Sequence, residues 1–374
     1  MSETPLLAEL RALIAAEGPI GVDRYMQLCL GHPRFGYYMT RDPFGRSGDF
    51  VTAPEVSQMF GELIGLWCAD AWGALGSPGR IHLVELGPGR GTLMADAWRA
   101  LRLVPAFRAA ATLHLVETSP VLRARQRETL AAIGTIPVWH GSLASLPGDA
   151  PLLVVANEFF DALPVRQLQR TARDWRERLV GLGGAGELAF GLAPAPAAGV
   201  AAGAPEGSVL ELPEVAAQVM RDLAGRLVAQ GGAALVIDYG HLVSGFGDTL
   251  QAVRRHAVVD VLSDPGEADL TVHVDFAALA RSAAAVGARV FPALEQGAFL
   301  QALGIGARAE RLAGAGDPAR AALVHGELDR LVSREPPGMG ALFKVLAVAS
   351  PGLAELAAFG QAVDPPVPRP GVPA

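Results

Sequence analysis

Residues 82–93, His-Leu-Val-Glu-Leu-Gly-Pro-Gly-Arg-Gly-Thr-Leu, constrain the fold of this chain more than any other segment. An apolar run carries Glu85 at its end, and glycines follow at positions 87, 89 and 91. An amphipathic stretch then sets Met94, Ala97, Trp98 and Leu101 on one face. Strand, tight glycine loop and helix in that order form the unit through which open α/β sheets receive an adenosyl ligand. The alternation continues along the chain. Runs at 112–116, 137–139, 152–156, 233–237, 249–259, 289–291 and 341–349 read as strands, and 152–156 is apolar throughout, as a strand buried on both faces requires. Helical spacing separates them at 214–229, 276–286 and 298–333. This pattern predicts an α/β fold with a mostly parallel sheet covered on both faces. It includes no internal repeat and no clean linker.

The amino-terminal part reads differently. Leu6, Leu7, Leu10, Leu13 and Ile14 fall near a 3.6-residue period, Pro19 interrupts it, and Val22, Met26 and Cys29 resume it. Residues 1–76 are therefore expected to be a helical segment, 77–350 the sheet-bearing domain, and 351–374 a Pro-rich tail. Residues 183–207, rich in Gly, Ala and Pro, are expected to be a flexible loop.

Composition narrows the function. The chain has 374 residues, enough for a large core, and its 51% hydrophobic content fits a folded protein. A net charge of −7 speaks against nucleic-acid binding, which needs a basic footprint. Two cysteines, Cys29 and Cys68, are too few for a disulfide framework and sit in apolar patterns, as buried thiols would. No Cys/His spacing suits a metal. Residues 1–5 carry neither a basic signal region nor an Arg-rich transit pattern, and no apolar run reaches membrane-spanning length. The setting expected on these grounds is cytoplasmic, without membrane insertion.

Which adenosyl ligand the loop takes follows from its neighbours. A dinucleotide fingerprint spaces its glycines G-x-G-x-x-G around a pyrophosphate. Here Gly91 comes one residue early, and Glu85 would sit awkwardly beside a pyrophosphate. A carboxylate there suits the cationic amino-acid moiety of S-adenosylmethionine, with Gly87, Gly89 and Gly91 admitting a close backbone approach. Glu117, ending the second strand, can accept from both ribose hydroxyls, although an acid there also stabilises a helix start at Ser119-Pro120.

The turn at 157–164, Asn-Glu-Phe-Phe-Asp-Ala-Leu-Pro, lies at the carboxyl end of a buried strand, where open sheets bind ligands. Methyl transfer is mainly a positioning problem. A guanidinium acceptor stays protonated, with a pKa above about 12, so carboxylates would have to hold it and localise its charge. Glu158 and Asp161 are the candidates, with Asn157 beside them on both the cofactor and the acceptor side. The plainer alternatives are a helix cap for Asp161 and a structural hydrogen bond for Glu158. Asp238 and Tyr239, ending the fifth strand, are candidate lining residues. His256 and His273 read as structural, Asp275 as a helix cap, Tyr37 and Tyr38 as core aromatics, and Lys344 as a surface-reaching side chain.

The motifs identify a resemblance. The chain resembles the MidA-like family of class I S-adenosylmethionine-dependent methyltransferases through residues 35–38 (Phe-Gly-Tyr-Tyr), 48–58 (Gly-Asp-Phe-Val-Thr-Ala-Pro-Glu-Val-Ser-Gln), 85–92, 157–164, 237–240 (Ile-Asp-Tyr-Gly), 265–271, 273–276 and 340–346. The resemblance implies a Rossmann-like seven-stranded sheet with the last strand antiparallel. It also implies the activity of the family's mitochondrial members, complex I assembly factors that symmetrically dimethylate an arginine of the 49 kDa subunit. By motif position, Gly87 and Gly89 would line the cofactor and Glu117 would hold its ribose, with Asp49, Thr52 and Glu55 bordering the site. After the third strand, Gly141-Ser142-Leu143 stands where many such enzymes place an acid near the adenine, which leaves that contact to backbone, Ser142 and Leu143. A nicotinamide-dependent oxidoreductase and a non-catalytic assembly factor with a vestigial pocket are the competing readings. Homodimerisation is left open.

Overall fold

The computed structural model describes residues 4–43, 45, 48–49, 51–198, 204–314 and 317–363. Its centre is a sheet containing β1 (Ile81–Leu86), β2 (Ala111–Val116), β3 (Val138–His140), β4 (Leu152–Asn157), β5 (Gly232–His241), β6 (Arg289–Val290) and β7 (Phe343–Ala349). Their order is β6-β7-β5-β4-β1-β2-β3. β1 to β5 pair in parallel, while β7 runs antiparallel between β5 and β6. The seven expected strands, the last antiparallel, are therefore present, within a nine-stranded sheet in which Val274–Asp275 also pairs with β5 and Leu294–Glu295 with β7. Its strand order reverses at β1, so the loops leaving β1 and β4 open side by side, the topological switch where such sheets bind ligands. β1 and β4 are buried at every residue, as the apolar runs require.

Helices cover both faces. On one, the helices Gln58–Ala74 and Thr92–Ala100 pack with Met59, Leu63, Trp67, Met94 and Trp98 in the core. The two approach so closely that a Cβ on Gly65 would lie 2.8 Å from Ala97 Cα. Only glycine permits that contact, and it fixes the helix opened by the glycine loop. On the other face lie the helices Glu214–Gln230 and Phe276–Ala284.

A separate core joins the amino-terminal helices Pro5–Glu17 and Val22–Gly31 to a five-stranded sheet and to the strands Gln251–Arg254 and Asp269–Thr271. Three expectations need correction. The segment 183–207 contains the strand Leu188–Pro196, which pairs along Trp175–Leu182 and packs Phe190 under the Arg178 guanidinium. It is an edge strand, where proline costs no ladder bond, so its Pro content misleads. Residues 199–203 of that segment lie outside the described residues. The run at 249–259, one strand by pattern, is a hairpin of Gln251–Arg254 and Ala257–Val259. Arg255 and His256 turn it with φ of +50° and +60°. The expected tail is anchored over 351–363: Leu353, Leu356 and Phe359 are buried, and Phe359 stacks edgewise on Phe291. The part from Asp364 lies outside the described residues.

A chain of imidazoles crosses β1, β2 and β3. Asp149 Oδ1 lies 2.9 Å from His82 Nε2, His82 Nδ1 2.9 Å from His114 Nε2, and His114 Nδ1 2.9 Å from His140 Nε2. The carboxylate accepts only, so each neutral ring donates toward Asp149 and accepts from the ring behind it. Burial and the flanking histidines push His114 down to about 4. His114 is thus neutral when folded and protonates on unfolding, so stability falls as pH drops from about 6.5 to 4. At about 1.4 kcal/mol per pKa unit this approaches roughly 3 kcal/mol. The melting temperature of His114→Gln should fall less steeply over that window than that of the wild type. Identical slopes would remove His114 from the acid response.

Candidate functional site

The loop after β1 is built by its glycines. Gly87, Gly89 and Gly91 have φ of +60°, +52° and +81°, all in the left-handed region. Gly91 stands at the N-cap of the helix Thr92–Ala100. A Cβ on Gly87 would lie 3.0 Å from the Phe159 ring. The loop thus keeps an open cradle beside the turn that follows β4. The cleft between them is lined by Thr52, Glu55, Glu85, Gly87, Arg90, Asn157 and Glu158, among others. Sequence reading names all of these except Arg90.

Three side chains here carry buried oxygens without a partner: Glu85 Oε2, Asn157 Oδ1 and Asp161 Oδ1. Each is an acceptor left without a donor, which is costly unless something completes it. Burial and the charge of Glu117 push Glu85 up to about 8. An ammonium group beside Glu85 would supply the missing donor and restore the carboxylate, which is what the amino-acid end of S-adenosylmethionine offers. The residues present fit that cofactor.

Glu117, buried, directly follows β2. Its Oε1 accepts from Ser119 N at 2.8 Å and its Oε2 from Gln126 Nε2 at 3.0 Å, leaving a lone pair on each for a ribose hydroxyl. Gln126 Nε2 also donates to Gly89 O at 2.8 Å, while its Oε1 accepts from Trp139 Nε1 at 2.9 Å. Gln126 therefore locks the glycine loop to Glu117. Sequence reading missed it, although a signal exists: it sits between Leu122 and Leu130 on the buried stripe of its helix. Ser142 and Leu143 follow β3 but lie outside the cleft lining, with Ser142 exposed and Leu143 packed against the core.

The turn after β4 carries the acids. Glu158 has φ of +49°, a strained state for a non-glycine residue of the kind that concentrates at functional sites. Its Oε1 accepts from Ala53 N and from Asn157 Nδ2, each at 3.2 Å. Burial and then the charge of Asp161 push Glu158 up to about 8. Asp161, not the helix cap of the plainer alternative, is buried within the turn, and burial raises it to about 6 against a hydrogen bond from Tyr239.

Some lining candidates serve the scaffold instead. Asp238 is fully buried; its Oδ2 accepts from Phe159 N, Phe160 N and Asp161 N at 3.2, 3.0 and 3.2 Å, and its Oδ1 from Tyr239 N at 3.0 Å. It shapes the turn from behind rather than facing the cleft. Asp49 accepts from the Tyr37 hydroxyl and from Arg255 N, each at 2.7 Å, and so docks the hairpin against the amino-terminal segment. Glu55 accepts from Thr92 Oγ1 and lies 3.6 Å from Arg90, whose Nε donates to Asp42 at 2.9 Å. The segment around Thr52 and Glu55 thereby closes over the glycine loop. Asp275 caps its helix as expected, accepting from Ala278 N.

Comparison with known proteins agrees with this geometry. A family model described as "Putative S-adenosyl-L-methionine-dependent methyltransferase" matches residues 63–293. The protein arginine methyltransferase NDUFAF7 homolog, mitochondrial, of Drosophila melanogaster is 38% identical over 379 residues, covering 92% of this chain and 84% of its own length. The mitochondrial NDUFAF7 of Danio rerio is 36% identical over 370 residues, covering 92% and 86%. A COG1565 superfamily member from Burkholderia thailandensis, crystallised with S-adenosyl-homocysteine, superposes with a TM-score of 0.83 at 33% identity and covers 95% of each chain. The expected cytoplasmic setting is overturned by the curated relatives, which are mitochondrial proteins. Among the described residues no helix is long and apolar enough to cross a membrane. Sheet order, glycine loop and these likenesses agree, and the chain belongs to the family of S-adenosyl-L-methionine-dependent methyltransferases.

Proposed function

We propose that this chain is a protein arginine methyltransferase, acting on a guanidinium in a respiratory complex I subunit of the 49 kDa type. The observation that carries the reading is the set of buried acceptors without donors, Glu85 Oε2, Asn157 Oδ1 and Asp161 Oδ1. Glu85 and Asp161 each leave a buried carboxylate oxygen that a cationic donor would complete, and Asn157 leaves an amide oxygen open to any donor. The names of the curated relatives supply the arginine.

In this reading residues 77–350 form the cofactor-binding unit and residues 1–76 border its mouth. Glu85 and Asn157 hold the amino-acid end of the cofactor, Gly87, Gly89 and Gly91 cradle it, and Glu117 holds its ribose. By motif position Ser142 and Leu143, though outside the cleft lining, would meet the adenine, and Thr52 and Glu55 line the mouth. The cofactor supplies an electrophilic methyl group bound to sulfur. Glu158, fixed by Ala53 N and Asn157 Nδ2, orients the guanidinium and localises its charge away from the attacking nitrogen. Asp161 shares that charge. With Glu158 at about 8, its carboxylate is basic enough to take the proton that the methylated nitrogen sheds.

The test supplies methyl-labelled S-adenosylmethionine to a lysate lacking this protein, with the purified chain added back. Label should be recovered as methylarginine after hydrolysis, in one dominant band. Gly87→Val should abolish labelling, because a branched side chain would enter the cradle at a φ it does not tolerate. Label on another residue type defeats the arginine reading. Thermal stabilisation by NADH but not by S-adenosyl-homocysteine defeats the cofactor assignment.

A further inference from the structure

The strand Asp269–Thr271 is buried at every residue, and its backbone continues into a bond from Val272 N to Asp161 O at 3.0 Å. It is thus fastened to the acidic turn. Residues two apart on a strand share a face. Tyr239 lies between Thr271 and Asp161, so Asp269, two residues from Thr271, shares the face that looks toward Asp161. Asp269 is 5% exposed and its Oδ1 accepts from the Tyr38 hydroxyl at 2.7 Å. Tyr38 in turn accepts, at its backbone oxygen, from Ser119 Oγ at 2.6 Å, beside the ribose-side Glu117. One of the carboxylates here, Asp161, is 6% exposed with an oxygen that lacks a donor.

We propose that Asp269, fixed by the Tyr38 hydroxyl, is a further carboxylate of the acceptor site and selects a cationic acceptor together with Asp161 and Glu158. The proposal rests on the reading of this site as one for arginine. It explains why a tyrosine tied to the ribose side reaches across to an acid. Among the described residues, the groups around Asp269 are Tyr37, Tyr38 and Asp49 from the amino-terminal segment, Glu158 and Asp161 from the turn, and Tyr239 from β5. The Arg41 guanidinium lies over the Tyr37 ring and pairs with Glu267. Among the described residues no ion pair reaches Asp269, so an incoming guanidinium would be its compensating charge. Burial and the charge of Asp161 push Asp269 up to about 8. Cation binding therefore displaces a proton, and affinity rises with pH up to that value.

N-acetyl-arginine amide, N-acetyl-lysine amide and neutral N-acetyl-citrulline amide serve as probes, titrated into the chain saturated with S-adenosyl-homocysteine. Wild type should prefer the arginine probe over citrulline at least tenfold, increasingly from pH 6 to 8. Asp269→Asn keeps an acceptor for Tyr38, so it should bind S-adenosyl-homocysteine as wild type does while losing most of that preference and its pH slope. Tyr38→Phe should lose part of both. An unchanged preference in Asp269→Asn, a loss of S-adenosyl-homocysteine affinity in both variants, or a wild type that does not distinguish charged from neutral probes overturns the proposal. A wild type that prefers lysine, with that preference lost in Asp269→Asn, defeats the arginine reading and leaves Asp269 as the cation selector.

Discussion

Glu158→Gln should lower methyl transfer by about 10²–10⁴-fold while leaving the affinity for S-adenosyl-homocysteine within about threefold of wild type. Glutamine keeps the oxygen that accepts from Ala53 N and from Asn157 Nδ2, so the left-handed turn at this residue retains its two clamps. What is removed is charge. A neutral amide holds a guanidinium weakly and takes no proton, and both losses bear on the transition state more than on cofactor binding. The loss should therefore fall on kcat as well as on KM. The pH profile separates the roles further. With Glu158 at about 8, wild-type turnover should rise with pH into the range where the carboxylate forms. That rise should flatten in the variant. Retained turnover, or a matching collapse in cofactor affinity, would take Glu158 out of the acceptor site.

The legible parts of the fold are those whose cause is local. The apolar runs of β1, β2, β4, β5 and β7 announce a sheet buried on both faces, and the glycine spacing announces the loop that feeds its ligand. Glu85 could be read as a cofactor residue because a carboxylate two positions before a glycine loop is chemically specific. The strand Leu188–Pro196 was not legible, since its stability comes from a partner strand and an arginine stacked on Phe190, and its own composition argues for a loop. The hairpin at Arg255 and His256 is not legible for a related reason: Arg255 is not a usual left-handed turn former, and the clamp is a distant Asp49. Gln126 and Asp269 act through side chains that meet across the fold, which no period or spacing reveals. Asp238 was legible as a polar strand end but not as a scaffold.

Removing that scaffold should have the largest effect on stability. Asp238 collects four backbone N–H groups, from Phe159, Phe160, Asp161 and Tyr239, onto two oxygens in a fully buried place. Burial and the charges of Asp161 and Glu158 push its carboxyl up, and the N–H groups oppose that shift. Asp238→Ala strands those donors, each at a cost of about 1–3 kcal/mol, with partial relief as the turn relaxes. The expected loss is roughly 4 kcal/mol, a large fraction of the margin of an ordinary domain. Relaxation would also carry Phe159 away from Gly87 and Asp161 away from Val272, so activity should fall even in whatever fraction stays folded. Asp238→Asn separates shape from charge: its oxygen can still accept from the three turn amides, but its NH₂ would face the N–H of Tyr239. It should lie between wild type and alanine in denaturant midpoint while keeping most cofactor affinity. An alanine variant with a wild-type midpoint would show that the turn stands without Asp238.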